Sequence, residues 1–181
     1  GAEVIRLRAD EVADVADDPA GRRTHELATL HRLGADLARA LDVGEVLERS
    51  LRVMVDMGWY ACGEAYELGR GTPRLVAVGS CPYDDLDACP LRPSLAEAVA
   101  EADPAVGPRL AHGWWTIPIE RRAVLALKAR DEVMDVSDDF LRSGVELIAS
   151  ALRRAALHAR LAEKERQRAR LLGALLTAQE E

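Results

Sequence analysis

Cysteine and long apolar runs are scarce in this chain of 181 residues. The three cysteines are an odd number, and their spacing is not that of a zinc finger or ribbon. This excludes a dense disulfide framework and is typical of a reduced, cytoplasmic setting. No run approaches the roughly 18–20 apolar residues of a membrane helix, and the first residues lack a signal-peptide pattern. We expect a cytoplasmic domain without direct membrane contact, in a parent protein that could itself be membrane-anchored.

Positive charge is in deficit, because 24 Lys and Arg face 31 Asp and Glu and the net charge is −7. This balance disfavours nucleic acid as a partner. Catalytic patterns are missing as well, since we find no P-loop, no Ser-His-Asp order and no paired-carboxylate pattern. The 49% hydrophobic and 30% charged residues are typical of a folded domain. We therefore expect no enzymatic activity from this chain by itself.

Two helices are predicted before residue 58. Leucines recur at steps of three and four residues across 25–41, with Thr24 as the N-cap. Asp42 and Glu45 then have the spacing of a capping box, which predicts a second helix that ends near Met57. Residues 1–24 are poorly patterned apart from a short strand around Ile5, and we interpret them as an upstream leader.

Strand patterns follow in two pairs. Residues 59–78 predict one hairpin, and residues 113–119 with 123–129 predict another. Pro118 cannot donate a ladder hydrogen bond, so its strand should lie at an edge there or bulge. The other predicted segments are a loop at 80–93, a short helix that Ser94 caps and that ends near Ala102, and a loop at 103–108.

The last predicted element is a helix that follows the N-cap Ser137 and runs to Glu181. Such a helix would be about 60 Å long, which exceeds the width of a domain of this size. Its second half has residues at alternating four- and three-residue steps, which predicts a parallel dimeric coiled coil. A solvated helix without a partner is the alternative. The apolar residues expected in the dimer helix are Leu157, Leu161, Leu171 and Leu175, and the polar ones are Lys164 and Arg168.

The order of these elements resembles that of a GAF domain. The resemblance rests on the helix pair around Leu33 to Leu47, on the strand pair Thr116 to Ile119 and Arg122 to Leu127, and on the amphipathic last helix. It implies an α/β (α+β) fold, with an antiparallel sheet of about four to six strands, helices on one face and a long C-terminal signalling helix. The implied divisions are a leader at 1–24, a sensory domain at 25–150 and a signalling helix at 151–181.

The run from Arg170 to Glu181 is similar to the start of the dimerisation helix in one class of histidine kinases. In that family the phosphoacceptor His follows shortly afterwards, and Glu181 precedes it. The resemblance implies the sensory domain of a two-component sensor histidine kinase. Its implied partners are a second copy, the kinase domain of the same chain and a response regulator. A ligand-free dimerisation module, or the GAF domain of a phosphatase or transcription regulator, is the alternative.

The GAF resemblance also implies a small ligand between the sheet and the helices and loops above one face. Trp114 and Trp115 are adjacent in a strand and should point to opposite faces. All the candidate residues have an alternative role as core or interface side chains. The candidates for ligand binding are Tyr66, Tyr83, His112, Trp114 and Trp115.

The cysteines suggest redox chemistry more than a metal. Iron–sulfur sites usually need four thiolates, and here Cys62 and His112 would have to complete a set with Cys81 and Cys89. We expect no metal and no cofactor, although an unknown small molecule can bind. Cys81 and Cys89 are the redox candidates, and Cys62 is predicted to be buried in a strand.

Overall fold

A single mixed sheet forms the centre of the computed structural model, which describes residues 4–7, 19–69, 71–83, 85–130 and 136–179. Its strands are β1 (Ile5–Leu7), β2 (Tyr60–Glu67), β3 (Arg74–Gly79), β4 (Arg109–Ala111), β5 (Trp114–Ile119) and β6 (Ala123–Ala129). They are arranged in the order β1-β3-β2-β6-β5-β4. All neighbouring pairs are antiparallel except β1 with β3, which run parallel.

Helices cover both faces of this sheet. They are α1 (Pro19–Leu37), α2 (Val43–Asp56), α3 (Arg92–Ala100) and α4 (Asp138–Gln179). The first two and the start of α4 form the main core with one sheet face. The α/β (α+β) class is confirmed, but α3 packs on the opposite face, where a one-sided arrangement was expected.

Both predicted hairpins are present. Pro118 pairs with Val124 of β6, whereas β4 pairs only with residues 114–116 of β5. Pro118 therefore lies where the outer side of β5 is no longer paired with β4, which satisfies the edge requirement. The sequence did not predict β4, because three residues are too short to show a strand period.

The first helix begins at Pro19, within the segment interpreted as a leader, and β1 also lies there. Thr24 is inside the helix, where its Oγ donates to the carbonyl of Ala20. Proline suits a first helical position because its fixed φ is helical and it has no N–H to satisfy. Leu27 and Leu41 are exposed, so the leucine pattern overstates the buried face.

The start of α3 also differs from the prediction. The helix begins at Arg92, and the hydroxyl of Ser94 donates to the Leu91 carbonyl instead of capping the helix. Pro93 lies in the first turn, where its restricted φ favours the helix. By contrast, the capping residue Asp42 is confirmed, since its Oδ1 accepts from the N–H of Glu45 at 2.9 Å.

Two glycines allow α2 to lie close to the sheet. Gly63 and Gly79 face each other across β2 and β3. A Cβ on Gly63 would lie 2.6 Å from Leu127 Cδ2 and 2.9 Å from Leu51 Cδ1, and a Cβ on Gly79 would lie 2.8 Å from Val55 Cγ2. The absence of side chains at this pair sets the distance between α2 and the strands.

Polar contacts fix α4 against α1 at two points. The Ser137 N–H donates to Glu26 Oε1 at 2.9 Å, and its hydroxyl donates to Oε2 at 2.7 Å. That hydroxyl also accepts from the Phe140 N–H, which confirms the predicted N-cap. Farther along, Arg154 Nη2 donates to the Leu37 carbonyl at 2.5 Å. The first part of α4 is thereby held on the domain.

Candidate functional site

The sheet face beneath α3 carries the polar and thiol groups of the candidate site. Cys62, Glu64 and Tyr66 alternate along β2, and this alternation directs them to the same face. Leucine, alanine and valine side chains of α3 pack there against Trp114 and Ala126. This second, smaller core is separate from the main core on the other face.

A partly buried ion pair lies on this face. Glu64 is only 6% exposed, and Arg92 Nη1 lies 2.6 Å from each of its two carboxylate oxygens. The Tyr66 hydroxyl also donates to Glu64. Burial, with the neighbouring Glu64 carboxylate, holds the pKa of Tyr66 above its usual range. Sequence reasoning missed Glu64 and Arg92, although the alternation of inward residues on the strand was a usable signal.

A small cavity opens beside this pair. Its volume is about 210 Å³, less than the roughly 300–1,000 Å³ typical of drug-sized ligands. Apolar walls and the polar ends of an arginine and a tyrosine would suit a small molecule with one or two polar groups. The lining residues are Tyr66, Pro73, Arg92, Ala96, Val99 and Ala100.

Of the predicted ligand-binding residues, only Tyr66 lines this cavity. Trp114 is buried, and its Nε1 donates to Ser94 Oγ at 3.2 Å. Trp115 packs against the main core on the opposite face, as the strand geometry requires. Tyr83 is 40% exposed in the loop before α3. The structure does not gather these aromatic side chains around one cavity, and Trp114 and Trp115 lie on opposite faces, as expected for neighbours in a strand.

His112 is also outside the cavity. It lies exposed in the turn between β4 and β5 with a positive φ of 52°. Its Nε2 is 2.9 Å from Glu101 Oε1, and its Nδ1 is 3.3 Å from Glu97 Oε2. The hydrogen bond from His112 lowers the pKa of Glu101. His112 therefore fastens the β4–β5 turn to α3 at the surface.

The three cysteines belong to β2 and to the loop that joins β3 to α3. Cys62 is buried in β2, and Cys81 and Cys89 are half-buried in the loop before α3. Burial first, and then Cys81 and Cys89, raise the pKa of Cys62 to about 12. All three sulfurs are unpaired thiols, and within the described ranges no group of three or more Cys, His, Asp or Glu could hold a metal ion.

A larger cavity, about 310 Å³ in volume, lies against the first turns of α4. It was not predicted, because its walls come from segments distant in sequence. The chain around Val106 and Pro108 forms one wall, and Leu141, Arg142 and Val145 of α4 form part of the other. A molecule bound there would contact the last helix directly.

The expected dimer residues lie on the part of α4 that leaves the domain. Among the described side chains, Ala155 is the last that is buried, and those from 157 to 173 are all exposed. Leu157, Leu161 and Leu171 are 57%, 52% and 66% exposed. Leu175 lies in the same helix, but its side chain is outside the described residues.

Comparisons with known proteins show the fold. No family model matches the chain, and no curated protein matches it. A crystal structure of residues 122 to 287 of a methyl-accepting chemotaxis protein aligns with a TM-score of 0.50 and 18% identity, over 72% of this chain and 99% of the other. In the part of the chain that the structure describes, no helix is long and apolar enough to cross a membrane.

A second solved structure carries the fold name. The GAF domain of a protein described as a sensor histidine kinase, from Pseudomonas syringae pv. tomato, aligns with a TM-score of 0.51 and 16% identity, over 82% of this chain and 96% of the other. A GAF domain of an Acinetobacter phosphoenolpyruvate-protein phosphotransferase aligns with a TM-score of 0.48 and 15% identity, over 72% and 92%. At these identities the likeness concerns architecture alone, and by that architecture the chain has a GAF-like fold.

Proposed function

We propose that this chain is the sensory and regulatory module of a sensor histidine kinase, and that α4 transmits its signal as a dimeric helix. The observation that carries the proposal is the exposed second half of α4. A helix with several leucines exposed by more than half is stabilised when a second apolar helix covers them. A second copy of this chain is the partner that presents a matching stripe.

The attachment of α4 to the domain supports a transmitting role. Glu26 holds the start of α4 to α1, and Arg154 holds it to the end of α1. Arg153 also pairs with Glu120 in the turn between β5 and β6. A displacement of α1 or of the sheet therefore moves the base of α4, which is how small shifts reach a distant two-state interface.

The proposal specifies the signal only by its chemical class, which is a small molecule. The cavity beside Arg92 suits a small molecule, and the cavity against α4 would place a ligand next to the transmitting helix. A kinase core following Glu181 and a response regulator are the further partners of the proposed parent protein. The competing functions are a ligand-free dimerisation module and the GAF domain of a phosphatase or transcription regulator.

Neighbouring leucines of α4 provide a test with a matched control. Leu171 is on the proposed seam and Leu172 is beside it, and they are 66% and 61% exposed. We expect light scattering to show a dimer whose dissociation constant rises more than about tenfold in Leu171→Lys and less in Leu172→Lys, because a seam charge must be desolvated. Equal effects of both substitutions, or a monomer at all concentrations, would contradict the proposal.

Phosphorylation assays separate the module from its parent. The chain has no recognisable nucleotide-binding motif, so labelled ATP should leave it unlabelled. A longer chain that continues through the kinase core should be labelled at a His after Glu181. Specific labelling of His158 would show that the kinase assignment is wrong, and an unlabelled longer chain would favour the phosphatase or regulator alternative.

A further inference from the structure

His112, in the turn between β4 and β5, contacts two carboxylates at the end of α3. Its Nε2 is 2.9 Å from Glu101 Oε1, and its Nδ1 is 3.3 Å from Glu97 Oε2. Glu97 belongs to α3 and Glu101 is its C-cap, four residues later, so the two lie on the same face of the helix. One imidazole ring therefore bridges a pair of acceptors.

The protonated ring is the form that satisfies both contacts. Imidazolium carries an N–H on each ring nitrogen, whereas neutral imidazole has one donor nitrogen and one acceptor nitrogen. An ionised carboxylate can only accept, so a neutral His112 would direct a lone pair at one of the two oxygens. Histidine is also the side chain that ordinarily changes its charge near physiological pH. One of the two contacts should therefore be lost when the ring gives up its proton.

The other charged groups around this turn are cations that do not titrate in that range. Arg109 of β4 donates from Nη2 to the Glu101 carbonyl at 2.6 Å and lies 3.4 Å from Glu101 Oε2. Lys128 of β6 donates from Nζ to the Gly113 carbonyl at 2.9 Å. Arginine and lysine ordinarily stay charged at neutral pH, so these two contacts persist in both states of His112.

We infer that His112 is a pH-sensitive clamp on α3, which holds the end of the helix to the β4–β5 turn when the ring is protonated and loosens it when the ring is neutral. The start of α3 is fixed separately, because Arg92 pairs with Glu64 on the sheet. Different contacts thus hold the two ends of this helix, and the far end responds to the histidine.

A loosened end would change access to the small cavity under α3. Ala96 and Ala100, which line the cavity, immediately precede Glu97 and Glu101 in the chain. We expect a small molecule to enter this cavity more readily when His112 is neutral than when it is protonated. This consequence rests on the proposed sensory function, whereas the clamp itself does not.

Hydrogen exchange of the α3 amides at about pH 5.5 and about pH 8 tests the clamp, since histidine ordinarily changes its charge between them and glutamate does not. Protection factors remove the intrinsic effect of pH on exchange. Those of residues 97–101 should be about two- to fivefold higher at the lower pH, as expected for exposed ion pairs. His112→Asn should abolish this difference, because asparagine does not titrate and tolerates the positive φ of this position.

Two further variants serve as controls. His31→Asn, at an exposed histidine of α1, should retain the full difference. Glu97→Gln should reduce it, since glutamine still accepts a hydrogen bond but carries no charge. Equal protection at both pH values in the unsubstituted chain, or a difference that survives His112→Asn, would overturn the inference.

The indole N–H of Trp114 reports on the other end of the helix. It donates to Ser94 Oγ, near the start of α3, at 3.2 Å. Because Arg92 holds that end, exchange of this N–H should change far less between the two pH values. An equal change would mean that the whole helix opens, which contradicts a clamp at one end. None of these measurements needs a ligand or the α4 seam, so their failure would leave the kinase proposal to its own tests.

Discussion

Glu64 illustrates how a single residue can define the chemistry of this domain. It is the one buried carboxylate on its sheet face among the described residues, and it is satisfied by Arg92 and by the Tyr66 hydroxyl. A buried charge is tolerated only with such partners. The pair therefore ties α3 to β2, and removal of either member should be costly.

The first residue-scale prediction concerns Arg92. Arg92→Gln leaves the Glu64 carboxylate buried without a cation, so we expect the free energy of unfolding in urea to fall by about 3 kcal/mol. The exposed pair of Arg74 and Glu67 on the neighbouring hairpin is the control. Arg74→Gln should cost less than about 1 kcal/mol. Similar small losses in both variants would mean that the buried pair contributes no more than a surface pair.

Cys62 gives stability a pH dependence. Its pKa is raised from 9.0 to about 12 in the folded chain, so the unfolded chain loses this proton first. The stabilising effect is complete below the unfolded pKa and is lost as pH rises through the folded pKa. Between about pH 9 and pH 10, the free energy of unfolding of the unsubstituted chain should fall as pH rises. In Cys62→Ala this fall should be smaller, by up to about 1.4 kcal/mol per pH unit. Urea titrations in reductant would measure both slopes, and parallel slopes would contradict this pKa assignment.

At the scale of elements, close packing depends on what is missing from the strands. The facing pair Gly63 and Gly79 lies under Leu51 and Val55 of α2. Interiors of proteins are close-packed, so one added methyl must displace a neighbour. The helix and the hairpin are therefore fitted to each other at this point.

A methyl group at Gly63 should disturb this fit. Its Cβ would also lie 3.2 Å from the Ala126 carbonyl oxygen, which cannot move aside like a side chain. We expect Gly63→Ala to lower the free energy of unfolding by about 1–3 kcal/mol. Gly71→Ala, in the open turn of the same hairpin, should change it by less than about 0.5 kcal/mol. Thermal and urea unfolding would compare the two variants, and a neutral Gly63→Ala would show that α2 can shift freely.

For the whole molecule, the decisive feature is that α4 is longer than the domain that holds it. Its first part is buried and its second part is exposed, although the helix is continuous from Asp138 to Gln179. A rotation or tilt of the first part of α4 therefore also moves its exposed second part. The proposed output depends on the angular phase of that second part in the dimer.

This dependence can be measured in a chain that extends through the kinase core. Insertion of about seven residues after Ala162 preserves the heptad phase, whereas insertion of about three or four changes it. We expect autophosphorylation to survive the first change and to shift severalfold in the second. Sedimentation would verify that each variant is still a dimer. Equal activity in all insertions would show that α4 is a passive spacer.

The sequence by itself determined the elements whose signals are local. The alternation of residues predicted strand β2, and the N-caps Asp42 and Ser137 predicted the starts of α2 and α4. These predictions are correct because strand periods and caps depend on near neighbours. Proline at 118 similarly required an edge. The sequence also predicted the length of α4 and its leucine repeat.

Tertiary structure alone decided which of these residues meet. The pairing of Glu64 with Arg92 and the hydrogen bonds of Ser137 with Glu26 join positions far apart in sequence, and no local period encodes such contacts. It also placed His112 on the surface. Leu27 became exposed although it shares the leucine spacing, since burial depends on the helices that pack alongside and not on apolar spacing alone.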